Sequence, residues 1–199
     1  MIIIKHRINT LTELEKIDFK FGVEVDIRSY NNELVLNHEP MSPGDTFKEW
    51  IKKFKHAFLI INIKEEGLEP YIQEIIEKEK INNYFLLDQS FPYLVKFSKI
   101  FHQNTAIRLS EFESIDTSIL SSTLSNWIWV DCFSKFTLDQ QQIEHLSKVG
   151  YKICIVSPEL QGRVNYKEEV HRLLEDVSID NIDAVCTKDE FFWMELQPS

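Results

Sequence analysis

Eight short apolar runs recur along the chain, at residues 2–5, 23–28, 58–64, 84–88, 106–109, 127–131, 153–157 and 184–187. They are rich in Ile, Val, Phe, Tyr and Trp, and their lengths are those of buried strands. Between them lie stretches with helical spacing, at 10–19, 46–54, 92–101, 138–148 and 167–177. Phe47, Trp50, Ile51 and Phe54 fall on one helical face, as do Tyr71, Ile72, Ile75 and Ile76 in a further helix. Strands alternating with helices pair in parallel through right-handed crossovers, and eight of them close a ring. An open doubly wound sheet would normally bring a glycine-rich loop after its first strand. Here that loop reads His6-Arg7-Ile8-Asn9-Thr10, without glycine. The expected fold is an α/β (β/α)8 TIM barrel, with residues 1–199 forming one domain.

Local signals sharpen this layout. Thr10-Leu11-Thr12-Glu13 is a capping box that starts the first helix, and Gly150 stops the helix at 138–148. Residues 34–36 follow the turn Tyr30-Asn31-Asn32-Glu33 and are expected to pair back on the second strand. The Ser- and Thr-rich segment 111–125 is expected to hold one or two short helical turns. Phe191-Phe192-Trp193-Met194 is expected to plug the outside of the barrel.

The chain of 199 residues is 43% apolar and 27% charged, ordinary for a folded domain. Its net charge of −10, from 32 acids against 22 Lys and Arg, repels nucleic-acid backbones and anionic lipid, so neither is an expected partner. Cys132, Cys154 and Cys186 are an odd, widely spaced set, which points to reduced thiols rather than a disulfide framework. Ile2-Ile3-Ile4 is too short for a signal-peptide core, and no run approaches a membrane span, so a soluble, cytoplasmic protein is expected.

The chemistry-bearing residues gather at strand ends. His6-Arg7, Glu24-x-Asp26, His38 and Asn62-x-Lys64 each lie at or just past the C-terminal end of an expected strand, the edge where such barrels carry their sites. Glu24 and Asp26 are two apart on a strand and so point the same way, into the barrel. Two like charges there need neutralising. Either a divalent cation with oxygen ligands does it, or buried ion pairs with Arg7, Arg28 or Lys64 do.

These residues resemble the pattern of the glycerophosphodiester phosphodiesterases, a family of phospholipase-C-like phosphodiesterase barrels. His6-Arg7, then Glu24-Val25-Asp26, then Asn37-His38-Glu39-Pro40 are similar to its His-Arg, Glu-x-Asp and His-Asp motifs in order and gaps. Asn62-Ile63-Lys64 falls where the family has Glu-x-Lys, Asp88-Gln89-Ser90-Phe91 resembles the segment after its fourth strand, and Ile182 to Thr187 its last strand. The resemblance covers nearly the whole chain, with specific motifs in the first 64 residues. It implies metal-dependent hydrolysis, or cyclising cleavage, of a small phosphodiester, and with it a place in lipid metabolism. His6 and His38 would be the acid–base pair, Arg7 and Lys64 would bind phosphate, and Glu24, Asp26 and Asn62 would hold Mg²⁺ or Ca²⁺. The related sphingomyelinase D proteins carry Asp-x-Lys at the third-strand position.

The chain departs from that pattern where Asn62 replaces an acid, Ile8 a glycine and Glu39 an aspartate. The substrate-shaping insertion after the second histidine is nearly missing. A barrel that binds a phosphorylated ligand or a protein partner without turnover is therefore the alternative reading. Of the other candidates, Asp88 and Asp131 could supply a compensating ligand or cap the following segment. Arg108 is expected to pair with one of them. His56, His102, His145 and His171 are expected at the surface or at helix ends, and one face of the pair Trp127 and Trp129 against the helices.

Overall fold

The structure is a computed structural model that describes residues 1–98, 100, 104–116 and 124–197. Its strands are β1 (Ile2–Lys5), β2 (Gly22–Tyr30), β3 (Glu33–Leu36), β4 (Asp45–Thr46), β5 (Leu59–Ile63), β6 (Tyr84–Leu87), β7 (Ala106–Leu109), β8 (Trp127–Val130), β9 (Lys152–Val156) and β10 (Ala184–Thr187). Eight of them pair in parallel around a ring, β1-β2-β5-β6-β7-β8-β9-β10 and back to β1. The joint between β6 and β7 is the slightest, a single parallel bridge from Leu86 to Thr105. The fold is the expected (β/α)8 barrel.

The two remaining strands extend β2. β1 pairs with β2 only at Gly22 and Val23, so the far half of β2 projects beyond the ring. There β3 pairs antiparallel with Ile27 to Tyr30, and β4 pairs with β3. This hairpin contains the expected return at 34–36. Gly22 lets β2 start flush against its neighbours. A Cβ there would stand 2.2 Å from Ile4 Cδ1 and 3.0 Å from the Phe58 carbonyl oxygen.

Alternation along the strands sets the layers. Val23, Val25 and Ile27 pack outward with Trp50, Ile51, Ile72 and Ile76 from helices α2 (Phe47–Ile51) and α3 (Glu69–Glu79). Ile4, Ile60, Phe85, Leu87, Cys154 and Cys186 fill the barrel interior. Trp127 and Trp129 belong to that interior too, while Ile128 and Val130 face the helices. The tryptophans thus face the opposite side from the one expected: Phe58 and Phe85 leave an aromatic-sized space inside, with ring centroids 5.2 and 5.0 Å from Trp127.

The first helix, α1 (Leu11–Leu14), has the capping box but only one turn. Beyond it, Asp18 accepts the Lys20 N–H at 3.0 Å, a local turn that competes with helix continuation. Helix α4 (Phe91–Phe97) is capped by Ser90, and α5 (Gln140–Lys148) and α6 (Tyr166–Asp176) follow β8 and β9. In α7 (Glu190–Glu195) Phe192 and Trp193 plug the barrel wall, whereas Phe191 and Met194 stay exposed.

His145 and His171 are exposed as expected. His56 is not: it is buried between Phe19 and Phe54, its Nε2 3.1 Å from the Ile17 carbonyl. His102 and part of 111–125 lie outside the described residues. All three cysteines are free and buried. Among the described residues no helix is long and apolar enough to cross a membrane.

Candidate active site at the barrel mouth

Glu24 and Asp26 point from β2 into the C-terminal mouth of the ring, both fully buried. The turn after β1 is folded around them. Arg7 adopts φ 55°, a conformation uncommon for a residue with a side chain, and so aims its backbone N–H at Glu24 Oε2, 2.8 Å away. The next N–H, of Ile8, donates to the Glu24 carbonyl at 2.8 Å. Asn9 then makes a reciprocal pair with Asp26, donating Nδ2 to Oδ2 and accepting the Asp26 N–H, each at 2.9 Å. Sequence reasoning assigned Asn9 no role; nothing in its type or spacing distinguishes it from a turn residue.

His6 stands over this pair, its Nε2 3.9 Å from Glu24 Oε2, and its backbone N–H is anchored to the Thr187 carbonyl of β10 at 3.1 Å. Burial, helped by the Arg7 and Lys188 charges, pushes the imidazole down to about 3, so it is neutral at physiological pH. Its Nδ1 is buried without a hydrogen-bond partner among the described residues. Burial and the neighbouring Asp26 carboxylate push Glu24 up to about 7.

From β5 and its C-terminal end come Asn62 and Lys64. Asn62 donates Nδ2 to Glu24 Oε1 at 3.1 Å. Lys64 Nζ lies 3.4 Å from Asp26 Oδ1 and 3.5 Å from Asp88 Oδ2, and Arg7 Nε lies 3.6 Å from Asp26 Oδ2. The line of charge continues through Asp88 to Arg108, and from Arg108 to Asp131 at 3.1 Å. Arg108 thus pairs with both acids, and among the described residues neither Asp88 nor Asp131 stands at a helix N-cap.

His38 stands apart from this cluster. It follows Asn37, whose N–H donates to the Asp26 carbonyl at 3.1 Å, so its backbone is fixed beside β2. Its ring is at the rim, 39% exposed, with Nδ1 2.8 Å from Glu39 Oε1. Arg28 holds the segment by donating to the His38 carbonyl at 2.9 Å and the Lys64 carbonyl at 3.1 Å. Arg7, Asn9 and His38 line one open cleft of about 630 Å³. His6, Arg7, Glu24, Asp26, Asn62 and Lys64 therefore converge in the mouth, with His38 facing it across the Arg7 cleft.

The residues suit a hard dication. Asp26 Oδ1 and Asn62 Oδ1 are buried oxygens that accept no hydrogen bond among the described residues, beside two carboxylates of like charge. Lys64 and Arg7 compete for the same negative charge. No group of three or more His, Cys, Asp or Glu is gathered for a metal among the described residues.

No protein-family model matches the sequence, and no curated protein does. Solved structures do. A phosphodiesterase of Oleispira antarctica, solved in complex with its product sn-glycerol-3-phosphate, is 17% identical, with a TM-score of 0.69 over 98% of this chain and 96% of that one. A glycerophosphodiester phosphodiesterase of Agrobacterium tumefaciens is 12% identical, with a TM-score of 0.70 over 96% and 99%. A glycerophosphoryl diester phosphodiesterase of Parabacteroides distasonis is 14% identical, with a TM-score of 0.67 over 100% and 88%. Over nearly its whole length the chain shares the fold of these enzymes.

Proposed function

From a fold shared with phosphodiesterases and a mouth lined by His6, Lys64 and Arg7, we propose that this barrel cleaves a small phosphodiester. The observation that carries the reading is the partly buried His6 imidazole, kept neutral in the same mouth as two cations that would face a phosphate. A neutral imidazole is the competent form of a general base, and the negative charge of a bound phosphodiester raises its proton affinity. His6 takes the proton of the attacking water, or of a neighbouring substrate hydroxyl, as the new P–O bond forms. His38, its ring oriented by Glu39, returns a proton to the alcohol oxygen as the old P–O bond breaks. Arg7 receives phosphate oxygens as a fork and Lys64 as a point charge.

Glu24, Asp26 and Asn62 would hold Mg²⁺ or Ca²⁺, which when bound draws charge from a phosphoryl oxygen. A single-domain, cytoplasmic enzyme remains part of the same proposal.

Phosphorus NMR of a glycerophosphodiester incubated with the protein and Mg²⁺ or Ca²⁺ tests the proposal and separates a monoester product from a cyclic one. His6→Ala and His38→Ala are each expected to slow turnover by roughly 10²- to 10⁴-fold with unchanged circular dichroism. Equal rates in wild type and both variants would overturn it.

One observation favours the second reading, a barrel that binds a phosphorylated ligand without cleaving it. Glu24 accepts hydrogen bonds from Asn62 and the Arg7 N–H, and Asp26 accepts one from Asn9 and lies within ion-pair reach of Lys64 and Arg7, so the protein's own groups compete with a metal for both carboxylates. Calorimetric binding of the diester with no change in its phosphorus spectrum would establish that reading.

A further inference from the structure

Building on the phosphate site just proposed, we infer that the ester bound here carries an apolar arm, alkyl or aryl, seated in a second cavity beside the mouth. That cavity, about 660 Å³, lies under the segments that follow β6 and β7. Phe91, Leu94 and Phe112 give it an apolar wall; Asp88, Gln89 and Arg108 form its polar end. Asp88 joins it to the phosphate site, since its Oδ2 is 3.5 Å from Lys64 Nζ. A phosphate held at Lys64 is thus one side chain away from the cavity.

The charges there are spoken for. Arg108 is neutralised by Asp88 on one side and Asp131 on the other, and Asp88 itself by Arg108 and Lys64. Glu113 is tied to the Ser110 hydroxyl. The cavity therefore does not suit a second anion. Its rings, by contrast, are wet. Phe112 is 82% exposed and Phe91 51%, and an apolar chain laid over them removes that surface from water.

Gln89 adds an independent sign of a ligand. Its amide nitrogen and oxygen are both buried, and neither has a hydrogen-bond partner among the described residues. A buried amide left unpaired is costly, and a hydroxyl or ester carbonyl near the phosphate end of the arm would complete it.

Calorimetry with methyl phosphate and hexyl phosphate, the latter below its micelle concentration, tests the inference. Hexyl phosphate is expected to bind wild type at least about tenfold more tightly, from burial of its extra methylenes. In the double variant Phe91→Ser/Phe112→Ser, two exposed positions, the gain is expected to shrink below about threefold while methyl phosphate binding is unchanged. Equal affinities in wild type, or a full gain in the double variant, would overturn the apolar arm and leave the phosphate site standing. Binding of neither ester would overturn the proposed function, and this inference with it.

Discussion

Asn62 donates its Nδ2 hydrogen to Glu24 Oε1 across 3.1 Å, at a depth where both residues are buried. A neutral amide there quiets one carboxylate without adding charge. The residue at which this sequence departs from the pattern it resembles is therefore itself hydrogen-bonded to one of the two carboxylates proposed to hold a metal.

Replacing that amide should make the mouth depend on metal. Asn62→Asp places a third buried carboxylate beside Glu24, with one hydrogen bond lost. Stability in chelator is expected to fall by about 3 kcal/mol, the cost of an uncompensated buried charge. Mg²⁺ or Ca²⁺ should restore it, and calorimetry should show tighter cation binding than in wild type. A melting temperature insensitive to cations in the variant would contradict this.

Arg7 serves twice, through its backbone N–H and through its guanidinium. Arg7→Gly keeps the donor to Glu24 and adopts φ 55° freely, so the fold is expected to hold or gain up to about 1 kcal/mol. Phosphate-ester affinity should fall by roughly tenfold with loss of the charged fork. Arg7→Val strains the same turn, and its chemical denaturation midpoint should drop below that of wild type.

Stability should respond to pH through two groups of opposite sign. Glu24, raised from 4.5 to about 7 by burial and Asp26, contributes stability below pH 4.5 that is lost as pH rises through about 7. His6, lowered from 6.5 to about 3 chiefly by burial, contributes stability above pH 6.5 that is lost as pH falls toward 3. In chelator, Glu24→Gln should remove the first loss, so its melting temperature gains on wild type between pH 4.5 and 7. Parallel curves over that window would refute the assignment.

Gly44 fixes the loop that carries His38. A Cβ there would stand 2.3 Å from the Leu36 carbonyl oxygen, a backbone atom with little room to retreat. Asn37 Nδ2 also ties the loop to the Pro43 carbonyl at 2.8 Å. Gly44→Ala is expected to cost about 1–3 kcal/mol in urea unfolding. It should also lower turnover by displacing His38, while leaving Mg²⁺ or Ca²⁺ affinity at Glu24 and Asp26 unchanged.

The barrel was legible because apolar runs and helical spacing alternate without interruption. Three strands, Ile2–Lys5, Ala106–Leu109 and Ala184–Thr187, have the same ends in sequence and structure. Period-two alternation also revealed that Glu24 and Asp26 share one face. What the residues alone could not give is partnership across the ring. Asn9 reaching Asp26, or Lys64 bridging to Asp88, depends on closure between elements far apart in sequence. Trp127 and Trp129 alternate in a run where every residue is apolar, so the pattern carries no mark of which face is inside. His56 looked like a surface residue because its partners, Phe19 and the Ile17 carbonyl, come from another segment.

Among the described residues a single bridge, Leu86 to Thr105, joins β6 to β7, which makes the circumference of this barrel uneven in strength. Just above it, Asp88 and Arg108 reach across the same joint and fasten it at the barrel mouth, as a clasp does a bracelet. The fastening and the proposed pocket thus share two side chains. Any molecule that draws Arg108 away from Asp88 therefore loosens the hoop at its least stitched point, and one that lets them stay paired keeps it shut.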